Sequence, residues 1–479
     1  VLANPLLPAD ILEEAVPGSI RRAEHFVVFL RKLVEFFKSK ISAVDVEKQT
    51  PLAFLNEINN STALERKPLK FTYSRLNSLI RTLELSGLDN WSQKLPALME
   101  VANFATLLAT YLEGFVVITE PQGSIVAGVS EELLQLCCLD ASIAIKPVLD
   151  RFQSVIITSG TLSPIDLYPK LLNFNPRIRT QLPMSIFRDC LLPLVITKGD
   201  DQQLISTSYE IRKDDSVIRN YGQMVLDICT VVPDGICVFF TSYMFMEHVA
   251  MMWDEMNILQ RIREQKLIFF ETKDVMETSI ALDNYKRACD CGKGALFLSV
   301  ARGKTSEGID FDRQYGRCVI LLGVPYQYTL SHVLRSRLEF MRREYQIRDN
   351  DFLTFDALRQ SAQCMGRVIR SKTDYGVVVL ADARYNKHDK RSKFPPWIQQ
   401  FVRENNLGLS TSTAVEQIKK FLRIMGQPID QSALQQILMN EQQVMKQGLR
   451  IKRLNGNAEG NANASAEQAT GLSFDPNRP

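Results

Sequence analysis

The chain is 479 residues long, 45% hydrophobic and 23% charged, with a formal net charge of +3. That length supports two or three domains with their own cores, at roughly 150 residues per domain. No apolar run approaches the ~20 residues that cross a bilayer and no charged-then-apolar leader opens the sequence, so no membrane or secretory route is expected; a charge this small implies no polyanionic partner by itself.

In chain order, the first hundred or so residues read as helices. "RRAEHFVVFLRKLVEFFKSKI" sets Phe26, Phe29, Leu30, Leu33 and Phe37 on one face at 3, 4 and 7 spacing, and "KLPALMEVANFATLLATYLEGF" is a second helical stretch ending near Gly114, with a loop expected around "NNSTALERKP". "FVVITEP" from Phe115 and "SVIITSG" from Ser154 are short β-branched runs bounded by turn signals, which predicts buried strands. From Leu191 strands alternate with helices: "LLPLVITKG", "ICVFFTS", a helix from Met244 to Arg263, "KLIFFET", a helix from Val275 to Cys289, "GALFLSV", "CVILLGVP", two basic helices between Thr329 and Arg370, then "GVVVLAD". Apolar strands joined by helical crossovers predict a parallel sheet covered on both faces, with ligands at the carboxyl ends of the strands. Helices are expected again from Trp397 to about Arg450, and the small, polar, repetitive segment 451–479 as a disordered tail.

Nine cysteines, an odd number without a C-x-x-C pair, suit a reduced intracellular chain. Cys289 and Cys291 stand close together, but with no second pair nearby and four His in all, no metal site is expected. Basic residues concentrate late: nine Arg or Lys against five Asp or Glu from Ser331 to Lys372, and five against one in "RYNKHDKRSK" from Arg384. A solvated face explains such clusters as well as a polyanion does.

Four polar elements fall where strands end: "TSGTLSP", "FFTSY", "ARGKTSEGID" and "QCMGRVIR". In the third, Gly303-Lys304-Thr305 has the close of a P-loop, but G-x-x-x-x-G-K-S/T needs glycine where Leu298 stands, so no phosphate cradle is expected there. In the fourth, a helix would set Gln363, Arg367 and Arg370 at i, i+4 and i+7 on one face beside small Gly366. Two planar guanidiniums and an amide suit a phosphate chain; pairing with surface acids is the open alternative.

The order of these motifs, with "AVPGSIR" near the start, "GVPYQYT" and the extended "QSAQCMGRVIRSKTDYG", resembles the XPD-type helicases, iron-sulfur members of superfamily 2, over residues 1 to about 450. The resemblance implies an α/β fold: residues 1–112 as part of a helical Arch domain, 113–185 as the end of a first RecA-like lobe, and 186–450 as a second RecA-like lobe with carboxyl-terminal helices. It implies that Ser159, Gly160 and Thr161 (motif III) couple hydrolysis to strand movement. Glu307, Gly308 and Asp310 (motif V) would face nucleotide and DNA, and Gln363, Gly366, Arg367 and Arg370 (motif VI) the triphosphate. Arg302, Tyr243, Tyr326, Tyr328 and Arg335 are candidates for gripping a single strand, with ordinary packing an equal alternative for the tyrosines. The implied activity is ATP- and magnesium-dependent 5' to 3' DNA unwinding in transcription initiation and nucleotide excision repair, in the nucleus, with single-stranded DNA and other subunits of the general transcription and repair factor TFIIH as partners.

Walker A, D-E-A-H and a four-cysteine iron-sulfur set do not occur in these residues; Asp254-Glu255 lacks the following Ala-His. Walker A holds the phosphates and the acidic pair holds magnesium, so the expectation is a carboxyl-terminal portion lacking the hydrolysing half-site and the iron-sulfur ligands. A non-catalytic assembly module within TFIIH is the alternative of a different class.

Overall fold

The computed structural model describes residues 23–41, 45–85, 95–121, 132–184, 188–303, 311–371 and 374–427. Its first unit gathers helices α1 (Ala23–Ile41), α2 (Pro51–Thr62), α3 (Arg66–Lys70), α4 (Thr72–Leu85) and α5 (Leu95–Thr110) around one core. The five α1 residues picked out by spacing are all buried, against Phe54 and Ile58 of α2 and Ala105 and Leu108 of α5. "NNSTALERKP" is mostly helix rather than loop. Thr50 caps α2 by accepting the Ala53 N–H, Ala63 closes it at φ 55° with its N–H on the Asn59 carbonyl, and Pro68 sits in the first turn of α3, where its missing N–H breaks no helical bond. Strands β1 (Glu47–Gln49), β2 (Phe115–Glu120) and β3 (Leu133–Cys138) form an antiparallel sheet in that order, and Val117 joins the helical core.

After α6 (Ser142–Arg151) comes another correction. "SVIITSG" is not a buried strand: it pairs with no strand among the described residues, and Val155, Ile156 and Ile157 are exposed, Ile156 by 89%. β-branched runs become strands when a neighbour and a covering face are present, and neither is supplied here. Beyond it, α7 (Leu167–Leu171) packs Leu167, Tyr168 and Leu171 against helices of the next unit.

That unit holds β4 (Leu191–Lys198), α8 (Asp215–Val231), β5 (Gly235–Phe240), α9 (Tyr243–Glu255), α10 (Ile258–Gln265), β6 (Leu267–Phe270), α11 (Val275–Asp290), β7 (Ala295–Val300), β8 (Cys318–Leu322), α12 (His332–Tyr345), α13 (Asp349–Met365), β9 (Gly376–Ala381), α14 (His388–Arg391), α15 (Pro396–Gln399), β10 (Leu409–Ser410) and α16 (Thr411–Met425). The strands make one sheet, β10-β4-β9-β8-β5-β7-β6, with every pairing parallel. Alternate residues feed two cores: Ile236, Val238 and Phe240 face α8, α9 and α16, whereas Cys237 and Phe239 face α11 and α13. This double burial is why the strands read as continuous apolar runs.

The helix expected from Met244 to Arg263 is two helices, broken at Asn257 with φ 57°. Side chains of Asp214, Ser242, Asp274, Ser331 and Ser410 cap α8, α9, α11, α12 and α16 by accepting early helix N–H groups. The helical run expected to Arg450 is described as far as Gln427, and the expected tail lies outside the described residues.

Candidate functional site

Parallel strands bring their carboxyl ends to one edge, and the sequence motifs meet there. β5 runs into Thr241, Ser242 and Tyr243; β7 into Ala301, Arg302 and Gly303; β8 into Gly323; β9 into Asp382. Glu307, Gly308 and Asp310 lie outside the described residues.

Three buried carboxylates organise this edge, none of which the motif reading singled out. Glu271, directly after β6, accepts the Tyr243 hydroxyl at 2.8 Å, the Ser299 hydroxyl at 2.5 Å and the Val300 N–H at 3.1 Å. Asp356 of α13 accepts Arg302 at 2.7 Å, Gln327 at 2.5 Å and Arg359 at 3.1 Å. Burial pushes its pKa up, but Arg302 and the hydrogen bonds outweigh burial and hold Asp356 below the usual carboxylate range. Asp382, fully buried, accepts Ser206, Thr207 and both the backbone and the guanidinium of Arg384. Burial works against the Arg384 charge, yet the bonds to Asp382 leave its pKa raised. Arg384 opens the basic run for which a solvated face and a polyanion were equal alternatives, and it belongs instead to this interior network.

The α13 segment carries a further correction. The helix ends at Met365, and Gly366 caps it with its N–H on the Ala362 carbonyl. Gln363 is helical, but Arg367 and Arg370 follow the helix and do not share its face. The cause is Asp374: its carboxylate takes the N–H groups of Arg370 and Ser371 at 3.0 and 2.8 Å and the Ser371 hydroxyl at 2.8 Å, turning the chain into β9. Arg367 is buried, Arg370 is exposed, and the Gln363 Oε1 is buried without a hydrogen-bond partner. One helical turn earlier, the Gln360 amide donates to the Ala301 carbonyl and Ser361 bonds Tyr385, so α13 is fastened to the ends of β7 and β9.

Ser159, Gly160 and Thr161 also reach this edge. The Gly160 carbonyl accepts the Trp397 indole N–H at 2.7 Å, the Thr161 N–H bonds the Ser159 hydroxyl at 3.2 Å, and the Thr161 methyl lies 3.9 Å from where a Cβ on Gly366 would stand. Of the strand-gripping candidates, Arg302 is committed to Asp356 and the Pro325 carbonyl, and Tyr243 to Glu271. Tyr326 accepts Lys390 at 2.7 Å with Arg384 over its ring. Tyr328 and Arg335 remain exposed, with Arg335 Nε on the Thr329 carbonyl at 3.3 Å.

Two guanidiniums and an amide within eight residues suit anionic oxygens, so Gln363, Arg367 and Arg370 fit a nucleotide's phosphates by their chemistry. The nine cysteines include no C-x-x-C pair, and among the described residues no three His, Cys, Asp or Glu group as a metal site.

A wholly parallel sheet, covered on both faces, with its motif loops at one edge defines an α/β RecA-like helicase lobe. Residues 225–401 match the family described as Helicase C-terminal domain, and residues 1–114 the Helical and beta-bridge domain. The chain is 54% identical over 431 residues to the General transcription and DNA repair factor IIH helicase subunit XPD of Arabidopsis thaliana, covering 90% of this chain and 56% of that protein. It is 51% identical over 426 residues to the protein of the same name from Dictyostelium discoideum, covering 89% and 54%. A solved structure described as XPD helicase aligns at 17% identity with a TM-score of 0.48, over 84% of this chain and 64% of that one. The chain is similar to XPD-type helicases over about nine tenths of its length. It spans about half the length of the curated relatives it matches.

Proposed function

We propose that this chain forms the carboxyl-terminal part of an ATP-dependent 5' to 3' DNA helicase that serves in the nucleus as a subunit of TFIIH, in transcription initiation and nucleotide excision repair. The observation that carries the reading is the convergence of four motif segments at one sheet edge in a chain about half identical to subunits of that name. In this reading residues 1–112 belong to the Arch, 113–185 to the end of the first lobe, and 186–450 to the second. Partners are single-stranded DNA and other TFIIH subunits.

ATP, when bound with magnesium, supplies the phosphoryl group whose transfer to water drives the motor. The residues of this chain bind and orient. Arg367 and Arg370 hold phosphate oxygens and stabilise charge that develops during transfer, a role worth ~10^3 to 10^5 in rate where it has been measured in other enzymes. Gln363 completes that donor set, Gly366 keeps the approach open, and Glu307, Gly308 and Asp310 connect nucleotide to strand. Motif III, held by Trp397, passes the state of the nucleotide to the strand; exposed Tyr328 and Arg335 meet the strand itself. Because Walker A and the acidic box are not in these residues, the chain alone turns over no ATP. Phosphate release with and without single-stranded DNA tests this: the isolated chain stays at background and the chain joined to a relative's amino-terminal half is stimulated. A magnesium-dependent rate in the isolated chain that Arg370→Ala abolishes would refute the half-site reading.

A further inference from the structure

Glu271 lies in none of the motifs, yet its carboxylate is the point at which two of them touch. Oε1 receives the hydroxyl of Tyr243, the first residue of α9; Oε2 receives the Ser299 hydroxyl and the Val300 N–H at the end of β7. The geometry has a local cause. β6 stops at Phe270, paired with Leu298, and the Glu271 N–H continues the ladder for one more bond, to the Leu298 carbonyl at 2.8 Å. Past that point no strand among the described residues lies beside β7 on this side, and the carboxylate takes the place of one. Gly303 then turns back, its N–H on the Val300 carbonyl at 2.8 Å, so that a Cβ at 303 would fall on the Glu271 oxygens. The site requires an acid: at least three donors, all among the described residues, converge on two oxygens, and both Glu271 and Ser299 are buried. A glutamine would turn an NH2 toward at least one of those donors and leave it unsatisfied.

We propose that Glu271 is a positioning residue that fixes the start of α9 against the Val300–Gly303 turn, so that a single strand meets both segments in one register. It touches neither strand nor nucleotide and acts through Tyr243 and the Val300–Gly303 turn. The proposal rests on the helicase reading for its ligand, and on geometry alone for its local effect.

The experiment uses the full chain, with Glu271→Gln, Tyr243→Phe and the double variant, reading amide hydrogen exchange and affinity for a short fluorescent oligothymidine at fixed salt. In Glu271→Gln, exchange at residues 300–303 rises about tenfold and affinity falls about tenfold, the scale of one lost charge-assisted hydrogen bond, while amides of β5 and β9 keep their rates. Tyr243→Phe weakens binding alone but adds nothing in the Glu271→Gln background, because the two act through one contact. Acceleration spread equally over β5 and β9 would make Glu271 a fold-holding residue and overturn the proposal. So would local acceleration with unchanged affinity. If the unmodified chain binds no oligothymidine, the strand-binding reading fails separately; exchange confined to 300–303 then still supports the positioning role, and unchanged exchange there overturns it.

Discussion

The indole N–H of Trp397 donates to the carbonyl of Gly160 at 2.7 Å, joining residues 237 apart in the chain. Trp397 is the second residue of α15, the short helix after the basic run, and Gly160 is the centre of motif III, so the bond fastens the segment before β4 to the carboxyl side of the sheet. Trp397→Phe keeps most of the ring and removes the donor. Its expected effect is a loss of about 1 kcal/mol or less in stability, with faster proteolytic cutting near residues 159–162. Limited proteolysis beside a thermal melt checks both; cutting unchanged at that segment would mean the bond does not restrain it.

Motif VI can be tested by keeping charge and removing geometry. In a full-length helicase carrying this sequence, Arg367→Lys and Arg370→Lys retain the cation but lose the planar fork, and turnover is expected to fall by roughly tenfold or more, with a smaller change in ATP affinity. Arg343→Lys serves as control, since Arg343 makes an exposed pair with Glu344. Arg384 would be a poor control because it is bound into the buried Asp382 network. Steady-state kinetics that leave both motif variants at wild-type turnover would remove them from the phosphate site.

Asp356 makes stability depend on acid. Its folded pKa is depressed, so its contribution is complete above the unfolded carboxyl value, near ~3.9, and disappears as pH falls through the lower folded value. Asp356→Asn is expected to cost about 3 kcal/mol at neutral pH, because Arg302 loses the charge that pairs it. Urea melts from neutral to acid pH check this: the gap between variant and parent narrows toward the acid end.

Thiol labelling separates the cysteines. Cys229, Cys289 and Cys364 are buried with pKa values pushed up to about 12, and exposed Cys291 is expected to react with an alkylating reagent well before them at mildly alkaline pH. Peptide mass spectrometry over a time course reads the order, and early labelling of Cys289 would show that the α11 end opens.

The exposed Val155–Ile157 run makes the isolated chain prone to self-association. Ile156→Lys is expected to raise soluble yield without shifting the melting temperature, since Ile156 is almost fully exposed. Sedimentation of both forms decides it, and a monodisperse parent chain would contradict the expectation.

The sheet was readable because parallel strands buried on both faces spell themselves as apolar runs, and the α1 face because its phenylalanines repeat at helical spacing. Other features depend on partners that no local window contains. The helix of motif VI ends early because Asp374, beyond it, claims the N–H groups of Arg370 and Ser371. "SVIITSG" has the composition of a strand without a neighbour to make it one. Glu271, Asp356 and Asp382 give no signal in a local window, because beside the near partners Arg359 and Arg384 their donors come from 28 to 176 residues away in sequence. Motif order was therefore enough to find the resemblance to XPD-type helicases, while the carboxylates that hold the motifs in place became visible only in three dimensions.

The strand order has a consequence for synthesis. β4 is flanked by β9 and β10, both of which come much later in the chain, so when β4 leaves the ribosome neither neighbour exists. β9 starts about 180 residues after β4 ends, which at ~5 to 20 residues per second is roughly 10 to 40 seconds of translation. During that interval β5, β6 and β7 can assemble with their helices while "LLPLVITK" waits with both edges open, and a chaperone that shelters this one strand would protect the nascent lobe at its most vulnerable point.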